Sequence, residues 1–319
     1  MLAYIAAIIC MGAAYSIITL GFNLQWGYTG LFNLSVFGLA AAGGYTSVIL
    51  TSQPAMGRIG GFGMPFIIGL IGAAIVAGII GGLIGLATLH LEFGFFAIST
   101  LGLGMTIQTL LRNEQWLSNG VWGIGGINKP LSGLLGSGLS NWSYGILALI
   151  IMLIIYFLLE RIVKSPWGRI QMAIKEDENL TEMLGKDVFF YRIQSLILGS
   201  MIMGIGGAVF AHYQGYINPD SYTDIMMCFL PLLMVVAGGT GNNKGSIVGA
   251  FVIWSAWSLS ELFAGYLPIS STKIPHIRTL VVGLIIIAIL RWRPTGLIGR
   301  KMAVSSSSTS RKIGPAQNL

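Results

Sequence analysis

Long apolar runs alternate with short polar stretches along the whole chain. The first run, LAYIAAIICMGAAYSIITLGFNL, contains no charged residue. A helix needs about 20 such residues to cross ~30 Å of hydrocarbon. Nine runs predict nine membrane-spanning segments, with residues 2–24, 28–50, 64–90, 95–111, 141–159, 193–213, 225–240, 246–263 and 276–290. The pattern therefore predicts an all-α, polytopic membrane protein.

Segment 28–50 is more polar and richer in glycine than the other runs, which predicts a broken or only partly inserted helix. Irregular backbone at membrane depth persists where protein buries it or where it lines a cavity.

GYTGLFNLSVFG (27–38) and GGTGNNKGSIVG (238–249) share Gly, Thr, Gly, Ser and Gly at the same offsets. Paired glycine-interrupted segments are typical of repeat halves around a transport site. Chance is the alternative in a chain with 45 glycines.

Composition agrees with a membrane location and suggests an orientation. Only 9% of the residues are charged, against about 25% in soluble domains. If the charged stretch 160–192 and the C-terminus face the cytoplasm, 13 of the 18 Lys and Arg lie inside, as the positive-inside rule expects. Nine crossings would then place the N-terminus outside. The basic residues flank apolar runs and accompany no nucleic-acid motif, so no nucleic-acid partner is predicted.

Signatures of catalysis and of cofactor binding are absent from the sequence. GTGNNKGS (239–246) lacks the Gly-Lys-Ser/Thr order of a phosphate-binding loop. The three histidines, His90, His212 and His276, lie in different parts of the chain without the spacing of metal ligands. We therefore predict no catalytic residue, no metal and no cofactor, and an intramembrane enzyme is a weak alternative.

Polar side chains inside the apolar runs are few. Asn33, Ser35, Thr100 and Gln108 are candidates for a translocation path. Hydrogen bonds between helices are the alternative, because a polar group in hydrocarbon needs a partner or water. Glycines spaced four apart in 69–87 predict a small helix face for close packing.

Residues 160–192, called the insert below, interrupt the apolar pattern with six acidic and six basic residues. Asn179 and Glu182 resemble a capping box that would start a helix at Leu180, and Gly185 is placed as its stop. A helix meant for anionic lipid would be mainly basic. A balanced amphipathic helix better fits a groove on another protein, and a solvated loop is the alternative.

The insert and its surroundings also carry a family resemblance. SPWGRIQMAIKEDENLTEMLGKDVFFYRIQSLILGS (165–200) resembles the cytoplasmic loop of bacterial branched-chain amino acid permeases of the ABC-importer superfamily, closest to the M-type subunit. The resemblance continues, in the expected order, through 27–50, 93–111, 207–222 and 232–250.

The resemblance implies that the insert carries a coupling helix, which docks on a separate ATP-hydrolysing subunit. Glu178 matches the acidic residue that opens the loop motif, and Gly185 matches its closing glycine. The predicted coupling residues are Arg169, Ile174, Glu176, Asp177, Glu178, Glu182, Leu184 and Gly185. Leu180 and Thr181 stand where the family commonly has alanines, and Met105 stands where relatives often have a polar or acidic residue.

By the same resemblance, residues 1–300 form a permease domain of the bacterial inner membrane, followed by a disordered cytoplasmic tail, 301–319. The implied partners are a second permease subunit, two ATP-binding subunits, a periplasmic or extracellular binding protein, and membrane lipid. The expected solute is a branched-chain or other hydrophobic amino acid, with urea and short amides as alternatives. A self-sufficient channel or secondary transporter is the rival class.

Overall fold

A computed structural model describes residues 2–54, 59–127, 129–130, 140–264, 274–293 and 295–299. The predicted tail, 301–319, lies outside the described residues. The helices are α1 (Leu2–Phe22), α2 (Val36–Thr51), α3 (Phe66–Thr88), α4 (Phe93–Asn113), α5 (Gln115–Ser118), α6 (Ser140–Lys164), α7 (Pro166–Glu176), α8 (Glu178–Met183), α9 (Val188–Gln214), α10 (Leu230–Gly238), α11 (Asn243–Ala264) and α12 (Ile274–Trp292).

Helix α9 lies at the centre of the molecule and packs against α1, α2 and α3. Glycines make this packing close. A Cβ atom on Gly43 of α2 would overlap with the backbone of Gly204 on α9. The small face predicted on α3 is confirmed: Cβ atoms on Gly78 and Gly85 would lie 2.7 Å from Met201 and 2.9 Å from Leu196.

The outward faces of α3 and α6 carry large apolar side chains, which suits contact with lipid tails. They are Ile67, Ile71, Ile75, Ile79, Leu83 and Leu86 on α3, and Ile146, Ile150, Leu153, Ile154, Phe157 and Leu158 on α6. The predicted class of an all-α, polytopic membrane protein is confirmed.

Five helical stretches of the described chain are long and apolar enough to cross a membrane. They are Tyr4–Tyr28, Phe66–Thr88, Phe93–Asn113, Asn141–Lys164 and Val188–Gln214. A sixth is counted if Ile225–Gly238 and Asn243–Ser260, which meet at a bend of 120°, form one span. The prediction of nine spans is therefore not confirmed. One reason is that α2 has only 16 residues, since the first part of segment 28–50 is not helical.

The irregular part of segment 28–50 comes directly after α1. A π-helical turn, Asn23–Tyr28, extends α1, and residues 30–35 then follow without regular structure. Residues 30–35 are called the break below. A second π-helical turn, Ile225–Phe229, precedes α10. Such turns are rare and are often found at functional sites.

The two similar glycine-rich stretches contact each other. Asn23 Oδ1 accepts a hydrogen bond of 2.8 Å from the Gly241 amide, and Asn23 Nδ2 donates one of 3.1 Å to Asn243 Oδ1. A Cβ atom on Gly241 would lie 3.1 Å from the Gly27 carbonyl oxygen. The interruption after α1 and the interruption before α11 therefore form one buried junction.

The ends of α4 and α9 distant from the insert are joined by short elements. Strand β1 (Ile124–Gly125) pairs with β2 (Tyr216–Ile217) in antiparallel register. Arg112 forms an ion pair of 3.0 Å with Asp220, which lies in the 3₁₀ turn Pro219–Tyr222. These contacts fix the loops at this end of the helix bundle.

Candidate functional site

Helix α7 begins the helical part of the insert and is fixed to the start of α9. Pro166 occupies its first turn, where a missing N–H does not matter. Trp167 Nε1 donates a 2.7 Å hydrogen bond to Gln194 Oε1, and Gln171 Nε2 donates one of 2.7 Å to the Tyr191 carbonyl. Ile174 is 2% exposed. This face of α7 therefore packs inward and positions the helix.

Helix α8 follows after one residue, and its start differs from the prediction. Asp177 is the N-cap, with its side chain accepting a 3.0 Å hydrogen bond from the Leu180 amide. The predicted capping box of Asn179 and Glu182 is wrong, because an aspartate two residues earlier occupies that role. The stop predicted at Gly185 is confirmed: its φ is 77°, a conformation that favours glycine.

A charge pair joins α8 to α9. Arg192 Nη1 lies 2.5 Å from Glu178 Oε1, and the arginine side chain is largely shielded from solvent. Partial burial of the arginine reduces the screening of this pair by salt, although Glu178 is 45% exposed. Glu178, predicted to contact a partner protein, therefore also orients α8 against the membrane body.

The outer surface of α8 and the start of α9 expose a group of apolar side chains. Met183 is 83% exposed and Leu184 72% exposed. The full group is Leu180, Met183, Leu184, Phe189 and Phe190. Three charged residues of the same stretch are also exposed, and they are the acidic Glu182 and Asp187 and the basic Lys186. We call this group with its two carboxylates the docking surface.

Sequence reasoning missed Phe189 and Phe190 as part of this surface. Two adjacent aromatic residues after an N-cap, Asp187, inside a charged stretch were the available signal. Of the predicted coupling residues, Arg169, Glu176, Asp177, Glu178, Glu182, Leu184 and Gly185 are exposed, and only Ile174 is buried. At the two positions where the family commonly has alanines, Leu180 is exposed and Thr181 is buried.

Beneath the insert, the break is held by buried hydrogen bonds. Asn33 Nδ2 donates to Gln25 Oε1 at 3.0 Å, and Asn33 Oδ1 accepts from the Ser35 amide at 2.9 Å and its hydroxyl at 2.6 Å. Gln25 Nε2 donates to the Leu196 carbonyl at 2.9 Å. The side chains of Asn33 and Ser35 are therefore satisfied inside the protein, as a position within a membrane would require.

Other helices complete the enclosure of the break. The Leu34 amide donates a 3.0 Å hydrogen bond to Thr100 Oγ1 on α4, and Cys228 Sγ lies 3.3 Å from the Leu34 carbonyl. Just before the break, the hydroxyls of Thr29 and Ser195 lie 2.7 Å apart. Asn33, Ser35 and Thr100 are thus brought together at one place, each fully buried.

Gln108, the fourth residue predicted for a path, lies apart from the break. Its Nε2 donates to the carbonyls of Pro219 at 3.0 Å and Tyr222 at 3.3 Å. Burial raises the pKa of the Tyr222 phenol, which stays a neutral donor to the Gly207 carbonyl. Gln108 therefore anchors the turn 219–222 rather than the break.

Among the described residues, no three His, Cys, Asp or Glu side chains are grouped so that they could hold a metal ion. The described residues combine an exposed surface of apolar and charged side chains on α8 and the start of α9 with a buried, irregular polar segment before α2.

Comparison with known proteins identifies the family. The profile of the branched-chain amino acid transport system / permease component family matches residues 4–290. The chain belongs to this family. It is 25% identical to a probable branched-chain amino acid transport permease protein LivM of Methanocaldococcus jannaschii, over 94% of this chain and 95% of the relative.

Two further relatives extend the comparison to both kinds of permease in one organism. The LivM high-affinity branched-chain amino acid transport permease of Salmonella typhimurium is 29% identical over 90% of this chain and 68% of its own length. The LivH permease of the same organism is 22% identical over 92% of this chain and 93% of its own length. The family member described here is therefore LivM-like. No solved structure matches the chain.

Proposed function

We propose that this chain is a membrane-spanning permease subunit of an ABC importer that moves branched-chain amino acids into the cytoplasm. ATP is hydrolysed by a separate chain, and this subunit has no catalytic residue and no cofactor. Membership of the permease family and similarity to LivM permeases support the proposal. The proposed location is the bacterial inner membrane, with the C-terminus in the cytoplasm.

The docking surface is the observation that carries the proposal. It is formed by α8 and the first turn of α9, after the long helix α6, and it exposes large apolar side chains such as Met183 beside carboxylates. Exposed apolar groups rimmed by charge are typical of protein interfaces. Two ATP-binding subunits are the proposed partners, with Arg169, Glu176, Asp177 and Glu182 at the rim. A channel or secondary transporter, the rival class, has no need of such a surface.

A second permease subunit and an external binding protein complete the proposed complex. LivM and LivH permeases both occur in Salmonella typhimurium and in Escherichia coli, which supports pairing of two different permeases. Lipid surrounds the apolar faces of α3 and α6. The permease domain extends over residues 1–300.

We place the transport path beside the break. Asn33, Ser35 and Thr100 hold an irregular backbone at membrane depth, and backbone of this kind occurs where it is buried in protein or borders an aqueous cavity. In this proposal the three side chains fix the shape of the path. Gln108 belongs to the opposite end of the path, where it holds the turn 219–222.

Uptake into proteoliposomes tests the proposal. The vesicles contain this chain with its second permease and the ATP-binding subunits, and labelled leucine, isoleucine, valine and urea are offered with the binding protein. We expect uptake of the three amino acids only when ATP and the binding protein are both present. Uptake of urea alone would assign the alternative solute class. Flux through this chain alone, indifferent to ATP, would overturn the importer.

A further inference from the structure

One side chain of the insert reaches the interruption after α1. Lys175, in the last turn of α7, donates a 2.7 Å hydrogen bond from Nζ to the carbonyl oxygen of Gly27. The two residues are 148 positions apart in the chain. Lys175 therefore connects α7, the helix directly before α8, with the buried junction.

The Gly27 carbonyl is a good acceptor because the helix does not satisfy it in the usual way. In a continuous α-helix it would accept from the Leu31 amide, but that amide donates to the Gln25 carbonyl at 2.9 Å. The end of a helix carries partial negative charge, which favours a cation there. A hydrogen bond from an ammonium group is also stronger than one between neutral groups. Lys175 thus supplies a hydrogen-bond donor to a carbonyl at the C-terminal end of the π-helical turn that extends α1.

The aliphatic part of Lys175 touches the start of the break. A Cβ atom on Gly30 would lie 3.3 Å from Lys175 Cγ and 3.8 Å from its Cβ. Gly30 has a φ of 81°, a backbone conformation that favours glycine. The nearby lysine stem also leaves little room for a side chain there. Lys175 consequently contacts the chain at both Gly27 and Gly30, on either side of the point where the helix ends.

Gly27 cannot move without affecting the buried junction. A Cβ atom there would overlap with Asn23 Oδ1 and would lie 2.6 Å from the Gly241 amide nitrogen. Asn23 itself binds Gly241 and Asn243. A displacement of Gly27 is therefore passed to both interruptions, the one after α1 and the one before α11.

We infer that Lys175 is the positioning residue through which movement of α7 reaches the break and the buried junction. The inference rests on the proposed function, since it assumes that an ATP-binding subunit moves the insert. Trp167 and Gln171 have a different role, because their bonds join α7 to α9 and not to the interruption. Lys175 was not among the residues predicted from the sequence.

The test uses the complete complex in proteoliposomes, with uptake and ATP hydrolysis measured together. Lys175→Met removes the ammonium group and keeps an unbranched stem over Gly30. We expect uptake per ATP hydrolysed to fall about tenfold, as for loss of a charged hydrogen bond. Hydrolysis and co-purification of the ATP-binding subunit should stay at the wild-type level. Lys175→Arg keeps charge and donor and should restore most of the ratio.

Lys164→Met is the matched control. Lys164 lies at the end of α6, where its side chain is 77% exposed and forms an ion pair with Glu160 one helical turn earlier. This variant should leave the ratio of uptake to hydrolysis unchanged.

Two results would overturn the inference. One is a Lys175→Met complex with the wild-type ratio. The other is a parallel loss of uptake, hydrolysis and co-purification, which would assign Lys175 to folding or docking. Failure of the proposed function is distinct, because the wild-type complex would then show no ATP-dependent uptake at all.

Discussion

At the scale of single residues, glycine determines how closely other helices approach α9. Gly204 of α9 faces Gly43 of α2 on one side and Ala73 and Ala77 of α3 on the other. Lipid tails are as apolar as leucine, so helices in membranes associate through close van der Waals packing more than through burial of apolar surface. Small residues at these crossings therefore contribute stability that hydropathy alone does not reveal.

Gly43→Ala should lower the stability of the chain. The added methyl group would overlap with the Gly204 backbone, and overpacking of this kind costs about 1–3 kcal/mol. Thermal unfolding of the purified chain in detergent measures the change as a lower midpoint. Gly102→Ala on α4 is the control, because no atom of the described residues lies within 4 Å of a Cβ atom there. Equal midpoints for the two variants would contradict the packing argument.

The polar residues illustrate how far a sequence can predict a site. Asn33, Ser35 and Thr100 stood out because polar groups are rare in apolar runs, and the structure brings them together. Gln108 stood out for the same reason but bonds elsewhere. The bonding partners come from distant parts of the chain, such as Leu196, and are set by helix packing. The sequence therefore identifies polar residues within apolar segments but does not predict which of them contact one another.

At the scale of elements, the ends of α8 are set by local chemistry. The Asp177 carboxylate satisfies the Leu180 amide at one end, and Gly185 turns the chain at the other. Gly185 was predictable, since few other residues adopt a positive φ. The start was not, because Asp177, Asn179 and their neighbours can all cap a helix and only the backbone angles decide between them.

Asp177→Ala should loosen α8 without unfolding the protein. Loss of an N-cap costs about 0.5–2 kcal/mol, which for a helix of six residues increases local opening. Hydrogen–deuterium exchange of residues 178–184 should become faster, while α9 keeps its protection. Asn179→Ala serves as the control and should leave exchange unchanged. Faster exchange in the Asn179→Ala variant and not in Asp177→Ala would instead support the capping box of Asn179 and Glu182 that the sequence predicts.

At the scale of the whole molecule, the docking surface is set apart from the lipid-facing surfaces by its charges. The outward face of α3 is apolar and the exposed charges of α6 are confined to its C-terminal end, whereas Leu184 and Met183 lie beside Glu182 and Asp187 in the chain. A surface of mixed character fits a protein partner better than hydrocarbon. The insert was predictable as a unit because its charge balance is unlike the rest of the chain.

Leu184→Ser should weaken binding of the ATP-binding subunit while the membrane body stays folded. Truncation of an exposed anchor at the centre of an interface costs about 2 kcal/mol or more. Co-purification of the ATP-binding subunit with the permease pair measures the loss, and size-exclusion chromatography checks the fold. Val121→Ser, which makes the same kind of apolar-to-polar change at an exposed residue outside the insert, should retain the partner. Retention of the partner by Leu184→Ser would remove this residue from the interface.

The buried junction also has a consequence for how the chain is made. Gln25 forms a hydrogen bond with the carbonyl of Leu196, which follows it by 171 residues in the chain. Asn23 forms one with Asn243, which follows it by 220 residues. Ribosomes add roughly 5–20 residues per second, so these side chains lack their partners for on the order of 10–40 seconds after α1 emerges. Unpaired polar groups in hydrocarbon cost several kcal/mol each. The end of α1 therefore stays beside water or the insertion machinery during translation, and it enters lipid for good only after α9 and α11 have been synthesised.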